Sequence, residues 1–302
     1  MCGIAGWFSS GDRERVRDHV QRMVQAQKHR GPDDSDIVEV SQSPYVVLGH
    51  ARLAIIDVSP EGHQPMRDPE TGNVIVFNGE IYNFKEIQDN LKKFGCVFRT
   101  RSDTEVLLKA YAVWGKGCCA YLRGIFAFAV WDAQKRFLFV ARDHVGVKPF
   151  YYCQTPRGFV FASEVRALLL SKATEPRLCK EGLNSYFMYG SVQEPFTLVD
   201  GLRSLPAASC GVVTARGLQI ERYWNPVPTS LAEREDNSDF SREEMLEQVS
   251  TTLRGAVSIQ MIADVPLGAF LSGGIDSSTI VSLMRQTHAG PIKTFTIVFD
   301  DA

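Results

Sequence analysis

Apolar residues recur at helical spacing in three early stretches. Val16, Val20, Met23 and Val24 stand among charged neighbours and predict an amphipathic helix over about residues 12–28. Phe84, Ile87, Leu91 and Phe94 form a second stripe, with Asn83 as its cap and Gly95 as its stop. Ser102-Asp103-Thr104-Glu105 has the Ser-x-x-Glu form of a capping box and predicts a third helix up to about Trp114, before Gly115. Between these the pattern changes to strands at 4–8, 45–48, 74–77, 125–131 and 137–141, the last two joined by residues 132–136 as a hairpin. In that hairpin both faces are apolar. A strand dry on both faces lies between two layers, so the pattern predicts an α+β sandwich of stacked sheets with helices outside.

After Trp224 the texture changes. Asn225-Pro226-Val227-Pro228 leads into a polar, acidic stretch, a linker composition over 225–240. This sets a first domain at 2–224 and a second segment at 241–302. The second opens with another capping box, Ser241-x-x-Glu244, and an apolar periodicity through Val249, Leu253, Ala256 and Val257. A buried-type strand at 265–271, a Gly-rich turn, a helix at about 279–286 and a strand at 293–299 then make one βαβ unit. One crossover hardly covers both faces of a parallel sheet, which predicts that this segment is the start of a larger domain.

The 302 residues, 44% of them hydrophobic, supply enough apolar surface for a proper core. Thirty-three basic against 35 acidic residues leave a net charge of −2, so no global attraction to nucleic acid or to an anionic membrane is built in. No apolar run approaches the roughly 18 residues of a membrane span, and the start lacks the form of a signal peptide. Seven cysteines without a Cys-x-x-Cys pair read as reduced thiols, not as a disulfide frame or zinc site. The expectation is a cytoplasmic protein with neither nucleic acid nor membrane as partner. The histidines show no metal-ligand spacing, so no metal is expected in the first domain.

Cys2 follows the initiator Met1 directly. Removal of Met1 leaves a free α-amino group on the residue that carries the thiol, and an amino-terminal nucleophile activated by its own amine is a known catalytic arrangement. Downstream stand Arg30-Gly31-Pro32-Asp33, Gly49-His50-Ala51-Arg52-Leu53, Phe77-Asn78-Gly79-Glu80-Ile81-Tyr82-Asn83 and Ser102-Asp103-Thr104-Glu105. Each has a plainer reading alone: Arg52 as an ion-pair partner, Asp103 as a first-turn helix acid, Asn78-Gly79 as a hairpin turn. In the second segment, Ser272-Gly273-Gly274-Ile275-Asp276-Ser277-Ser278 is a Gly-rich turn before a helix, where backbone N–H groups can cradle phosphate. It lacks the lysine of the common triphosphate-hydrolase loop.

Taken in order, these runs resemble the glutaminase domain of class II glutamine amidotransferases. With the Ser-Gly-Gly-Ile-Asp-Ser run they resemble the glutamine-dependent asparagine synthetases, over practically the whole chain. The resemblance implies a four-layer αββα glutaminase domain followed by the start of an α/β ATP-pyrophosphatase domain. It implies Cys2 as nucleophile, with Asn78 and Gly79 as oxyanion hole. Glutamine would be held by Arg52 at its carboxylate, by the stretch Leu53, Ala54, Ile55 and Ile56, and by Glu80 and Asp103 at its ammonium. It further implies ATP at Leu271, Ser272, Gly273, Gly274, Asp276, Ser277 and Ile297, with Mg2+ in that half and no cofactor in the other. Glutamine, aspartate and ATP would be the small-molecule partners, in a chain that can form a homodimer. A stand-alone glutaminase, an amidotransferase with another acceptor and a non-catalytic interaction module are the alternatives.

Overall fold

The computed structural model describes residues 1–9, 11, 13–227, 240–288 and 290–298. The chain divides into two compact units, Met1–Asn225 and Pro226–Ala302. Most of the 225–240 linker stretch, and the predicted helix start and strand end at Asp12 and Phe299, lie outside the described residues.

The first unit stacks two antiparallel six-stranded sheets. One comprises β1 (Gly3–Ser9), β2 (Asp34–Gln42), β3 (Tyr45–Arg52), β8 (Tyr151–Thr155), β9 (Gly158–Ala162) and β10 (Arg203–Ser204), in the order β10-β8-β9-β1-β3-β2. The other comprises β4 (Met66–Arg67), β5 (Val74–Ile81), β6 (Gly124–Asp132), β7 (Phe137–Arg142), β11 (Ser209–Thr214) and β12 (Gly217–Arg222), in the order β12-β11-β7-β6-β5-β4. Period-two alternation explains the layers. Ile4 and Phe8, Val46 and Leu48, Val74 and Val76, Ala127 and Ala129 meet between the sheets in one buried cluster. Residues of opposite parity, Ala5, Trp7, Val47 and Ala51, pack under α1 (Val16–Ala26) and α4 (Val165–Leu170). Outside the other sheet, α2 (Phe84–Lys92) leads to α3 (Asp103–Trp114), whose Tyr111 stacks on Phe139 at 5.1 Å. Helix, sheet, sheet, helix is the sandwich that the doubly apolar hairpin predicts.

Local expectations fare unevenly. Val16, Val20, Met23 and Val24 are buried, but the helix is shorter than the stripe and spans Val16–Ala26. Phe94 is 65% exposed because α2 ends two residues earlier, at Lys92, so the stripe outruns the helix. Asn83 makes no cap bond; its side chain accepts from Arg123 N–H and donates to the Tyr121 carbonyl. Only half of the first capping box forms: Ser102 accepts from Thr104 N–H, whereas Glu105 accepts from the N–H groups of Arg99 and Thr100. The preceding loop outcompetes the cap.

In the second unit the Ser241-Glu244 capping box is complete at the start of α6 (Arg242–Ile259). β13 (Gly268–Phe270) and β14 (Lys293–Phe295) pair in parallel, and α7 (Ile275–Thr287) is the crossover between them. The crossover helix starts four residues earlier than its apolar pattern predicts, so Asp276 lies in its first turn. The strand expected to be buried is exposed, with Phe270 at 79%, and Val249 and Leu253 of α6 are exposed as well. Two strands and two helices enclose a small core of Val257, Leu283 and Met284.

Candidate active site

The alternation that builds the inter-sheet core also aims the polar residues. Cys2 stands two residues before Ile4, Arg52 four after Leu48, and Asn78 and Glu80 two and four after Val76, so all continue the inward-facing rows to one end of the sandwich. Cys2, Arg52, Leu53, Ile55, Ile56, Asn78, Gly79, Glu80 and Asp103 line one cleft there, of about 140 Å³. Ala54 is not in its lining; its N–H donates to the Asp33 carboxylate at 2.9 Å.

The Cys2 sulfur lies 3.4 Å from Leu53 N–H and 3.6 Å from the Leu53 carbonyl. Burial raises the thiol's pKa, Leu53 N–H and the terminal ammonium pull it back, and Asp103 pushes it further up. Arg30 donates to the Cys2 carbonyl at 2.9 Å and to Glu164 at 3.3 Å. A β-carbon on Gly31 would stand 2.3 Å from the Ala51 carbonyl oxygen. The Arg30-to-Asp33 run therefore presses against β3 and clamps the backbone of Cys2 and of the segment behind it.

Asn78 is not in a hairpin turn. It lies inside β5, fully buried, and among the described residues neither atom of its side-chain amide has a hydrogen-bond partner. Its neighbour repeats that pattern in the backbone. In the β5–β6 ladder Gly79 stands opposite Phe126, whose N–H and carbonyl both turn to Asp143, so Gly79 N–H points off the other edge of β5. On that edge Phe77 N–H finds Gln64 at 2.7 Å and Ile81 N–H finds Asp103 at 3.0 Å. Between them Gly79 N–H has no partner among the described residues. Glycine is required here, because a β-carbon would stand 2.2 Å from the Ile125 carbonyl oxygen.

The Arg52 guanidinium donates to the Ser59 carbonyl at 3.0 Å and to that of Asp57. Of its five N–H bonds that leaves donors for a carboxylate. Asp103 accepts from Ile81 N–H, but burial dominates and, with Glu80 nearby, pushes its pKa up to about 7. Glu80 is likewise raised by burial, against the opposing charge of Lys148 and the terminal ammonium. The two carboxyls line the same cleft, and each like charge disfavours ionisation of the other.

Pattern reasoning passes over three further residues. Gln64 bridges β5 and α3 through Phe77 N–H and the Thr104 hydroxyl. His50 spans the two sheets, its Nε2 donating to the Phe77 carbonyl at 2.9 Å; burial lowers its pKa to about 4, so it is neutral at pH 7. Lys148 lines the cleft, and the signal for it is Arg142-Asp143-x-x-Gly146-x-Lys148 directly after a buried strand.

The residues proposed for ATP cluster in the second unit. Ser272 and Gly273, the latter at φ +80°, form the turn after β13, and Gly274 caps α7. The Ser272 and Ser277 hydroxyls lie 3.0 Å apart, and Ser277 donates to the Gly274 carbonyl. Leu271 N–H reaches the Phe295 carbonyl, which fixes Leu271 at the end of β13; Ile297 follows β14 and is 74% exposed, so it is no core residue of a buried strand. No metal-binding group of side chains occurs among the described residues.

Comparison with known proteins gives the family. A family model described as a glutamine amidotransferase domain matches residues 1–224, and one described as asparagine synthase matches residues 248–302. Asparagine synthetase (glutamine-hydrolysing) 3 of Bacillus subtilis is 36% identical over 100% of this chain and 48% of its own length. Asparagine synthetase (glutamine-hydrolysing) 1 of the same organism is 34% identical over 99% of this chain and 46% of its own. The chain thus spans about half the length of these curated relatives. Among solved structures, the glutamine phosphoribosylpyrophosphate amidotransferase of B. subtilis superposes with a TM-score of 0.56 at 17% identity, covering 98% of this chain and 65% of that one, a likeness of fold. With three-quarters of its length matched by the model, the chain belongs to the glutamine amidotransferase domain family, followed by a segment of the asparagine synthase family.

Proposed function

We propose that the first unit hydrolyses glutamine through Cys2. The observation that carries this reading is the pair of unmet donors, the buried Asn78 amide and Gly79 N–H, opening on the cleft that holds the Cys2 sulfur. A fold does not leave a buried amide without a partner at no cost; the penalty is about 1–3 kcal/mol. Donors kept vacant at rest suit an oxygen that becomes negative only during reaction.

With Met1 removed, the Cys2 amine takes the thiol proton and the sulfur attacks the side-chain carbonyl carbon of glutamine. The oxyanion of the tetrahedral adduct accepts from Asn78 Nδ2 and Gly79 N–H. The amine returns the proton to the leaving nitrogen, ammonia departs, and water cleaves the γ-glutamyl thioester to glutamate. Arg52 would hold the substrate carboxylate, and Asp103 with Glu80 its ammonium.

The names of the relatives and the synthase match support a wider reading, in which the ammonia serves glutamine-dependent asparagine synthesis from aspartate and ATP. The start of α7 supports a phosphate there, because nothing lies within 4 Å of where a β-carbon on Gly273 would stand and no side chain caps the helix. Bound there, ATP would activate a carboxylate by adenylation, and Asp276, in the first turn of α7, would act near its phosphates and their Mg2+. Seven free cysteines fit a reducing, cytoplasmic setting. No helix among the described residues is long and apolar enough to cross a membrane.

The test is glutamate release from glutamine by the processed chain, with intact mass to confirm loss of Met1. Cys2→Ala is expected to abolish release and keep the fold; turnover retained in that variant would overturn the assignment.

A further inference from the structure

Lys148 is 7% exposed, yet its ammonium makes no ion pair or hydrogen bond among the described residues; only its backbone is engaged. That backbone is held from both sides. The Arg142 guanidinium donates to the Lys148 carbonyl at 2.7 Å and to that of Gly146 at 2.6 Å. The Asp143 carboxylate accepts from Lys148 N–H and Val147 N–H, each at 2.9 Å. Such a clamp fixes the backbone from which the side chain leaves, and Lys148 lines the cleft together with Cys2, Asn78 and Glu80. A buried cation without a close partner is expensive to maintain, and Asp143 has spent its oxygens on backbone N–H groups.

We propose that Lys148 is a positioning residue for the nucleophile, a fixed cation that favours proton loss from both the amine and the thiol of Cys2. This deepens the glutaminase reading and rests on it.

The charged groups around Cys2 are few. Lys148 acts on it from the loop after β7, Arg30 from the loop after α1, Glu80 from β5 and Asp103 from the start of α3; Arg52 lines the same cleft from β3 but is seated on the Ser59 and Asp57 carbonyls, and Arg30 is already paired with Glu164. The ammonium present at the amino terminus is that of Met1, and removal of Met1 places it on Cys2. Burial is the main cause lowering that ammonium's pKa, with Lys148 and Arg30 lowering it further and Cys2 and Glu80 opposing. Lys148 acts on the thiol in the same downward direction. Both effects of the Lys148 charge serve the reaction and oppose the upward push of burial on the thiol, since the base must be unprotonated and the nucleophile must be a thiolate. Removing the cation raises both values and moves the acid limb of activity to higher pH.

The experiment is the pH dependence of Cys2 alkylation by iodoacetamide, followed by peptide mass on the processed 302-residue chain, beside the pH–rate profile for glutamate release. Lys148→Met and Lys148→Gln should move the alkylation limb up by roughly one pH unit, an about tenfold slower reaction on the acid side, and Lys148→Arg should restore it. Two neutral replacements of different polarity separate charge from packing. Limbs that superpose on the wild type in either folded variant, with only the amplitude reduced, would overturn the proposal. Alkylation needs no glutamine turnover, so a chain that releases no glutamate sinks the glutaminase reading while the alkylation limb still decides on Lys148.

Discussion

Asn78→Ala should impair catalysis without impairing the fold, an opposition that follows from a buried amide with no partner at rest. If Asn78 donates only to the oxyanion, its loss removes about 3–4 kcal/mol of transition-state stabilisation, which lowers kcat by about 10²–10³. The Michaelis constant should stay within about twofold, because the bond is absent in the ground state. Stability moves the other way. Deleting an unsatisfied buried amide relieves about 1–3 kcal/mol, while the roughly 40 Å³ vacated costs about 1 kcal/mol at some 24 cal/mol per Å³. The net is between zero and about 2 kcal/mol in favour of the variant, so Tm should hold or rise by a few degrees. Steady-state glutamate release and a thermal melt suffice. A variant that keeps kcat and loses several degrees would refute the reasoning, since Asn78 would then be a structural residue whose partners form only in solution.

Asp103, raised by burial to about 7 in the fold, supplies a pH prediction. Its folded pKa exceeds the unfolded one, so its contribution to stability is full below about pH 4 and is lost as pH rises through about 7, by up to roughly 4 kcal/mol. Asp103→Asn should flatten that decline in denaturant melts, and it should also remove the rise in the glutamine Michaelis constant expected for the wild type below about pH 7, where the carboxylate that meets the ammonium becomes protonated. Gly62→Ala tests the seat of Arg52, because the new β-carbon would stand 2.0 Å from Arg52 Nη2. The displaced guanidinium should raise the Michaelis constant about tenfold or more with a smaller change in kcat, read from initial rates.

The legible parts of this protein were those written in a local period. Val16, Val20, Met23 and Val24 mark α1, and the doubly apolar run 125–141 marks a strand pair sealed between layers. Less legible were elements with mixed patterns. β2 alternates only loosely because it is an edge strand with one face half wet, and α5 (Lys180–Tyr189) carries Phe187 and Met188 exposed, so its apolar residues do not mark a buried stripe. The Ser102 box formed by half, since Glu105 has three donors in the preceding loop.

Local residue order sets the period of each element, and with it the face on which Cys2, Arg52, Asn78 and Glu80 must lie, because side-chain parity along a strand is a local property. It also supplied the residue types whose chemistry matches glutamine. Tertiary structure alone decided that four separate strand and helix ends meet at one end of the sandwich. It alone decided that Asn78 and Gly79 N–H go without partners among the described residues, and that Lys148 enters from a loop with no periodicity. Hydrogen-bond satisfaction and the field at a buried thiol are sums over neighbours distant in the chain, which no local pattern contains.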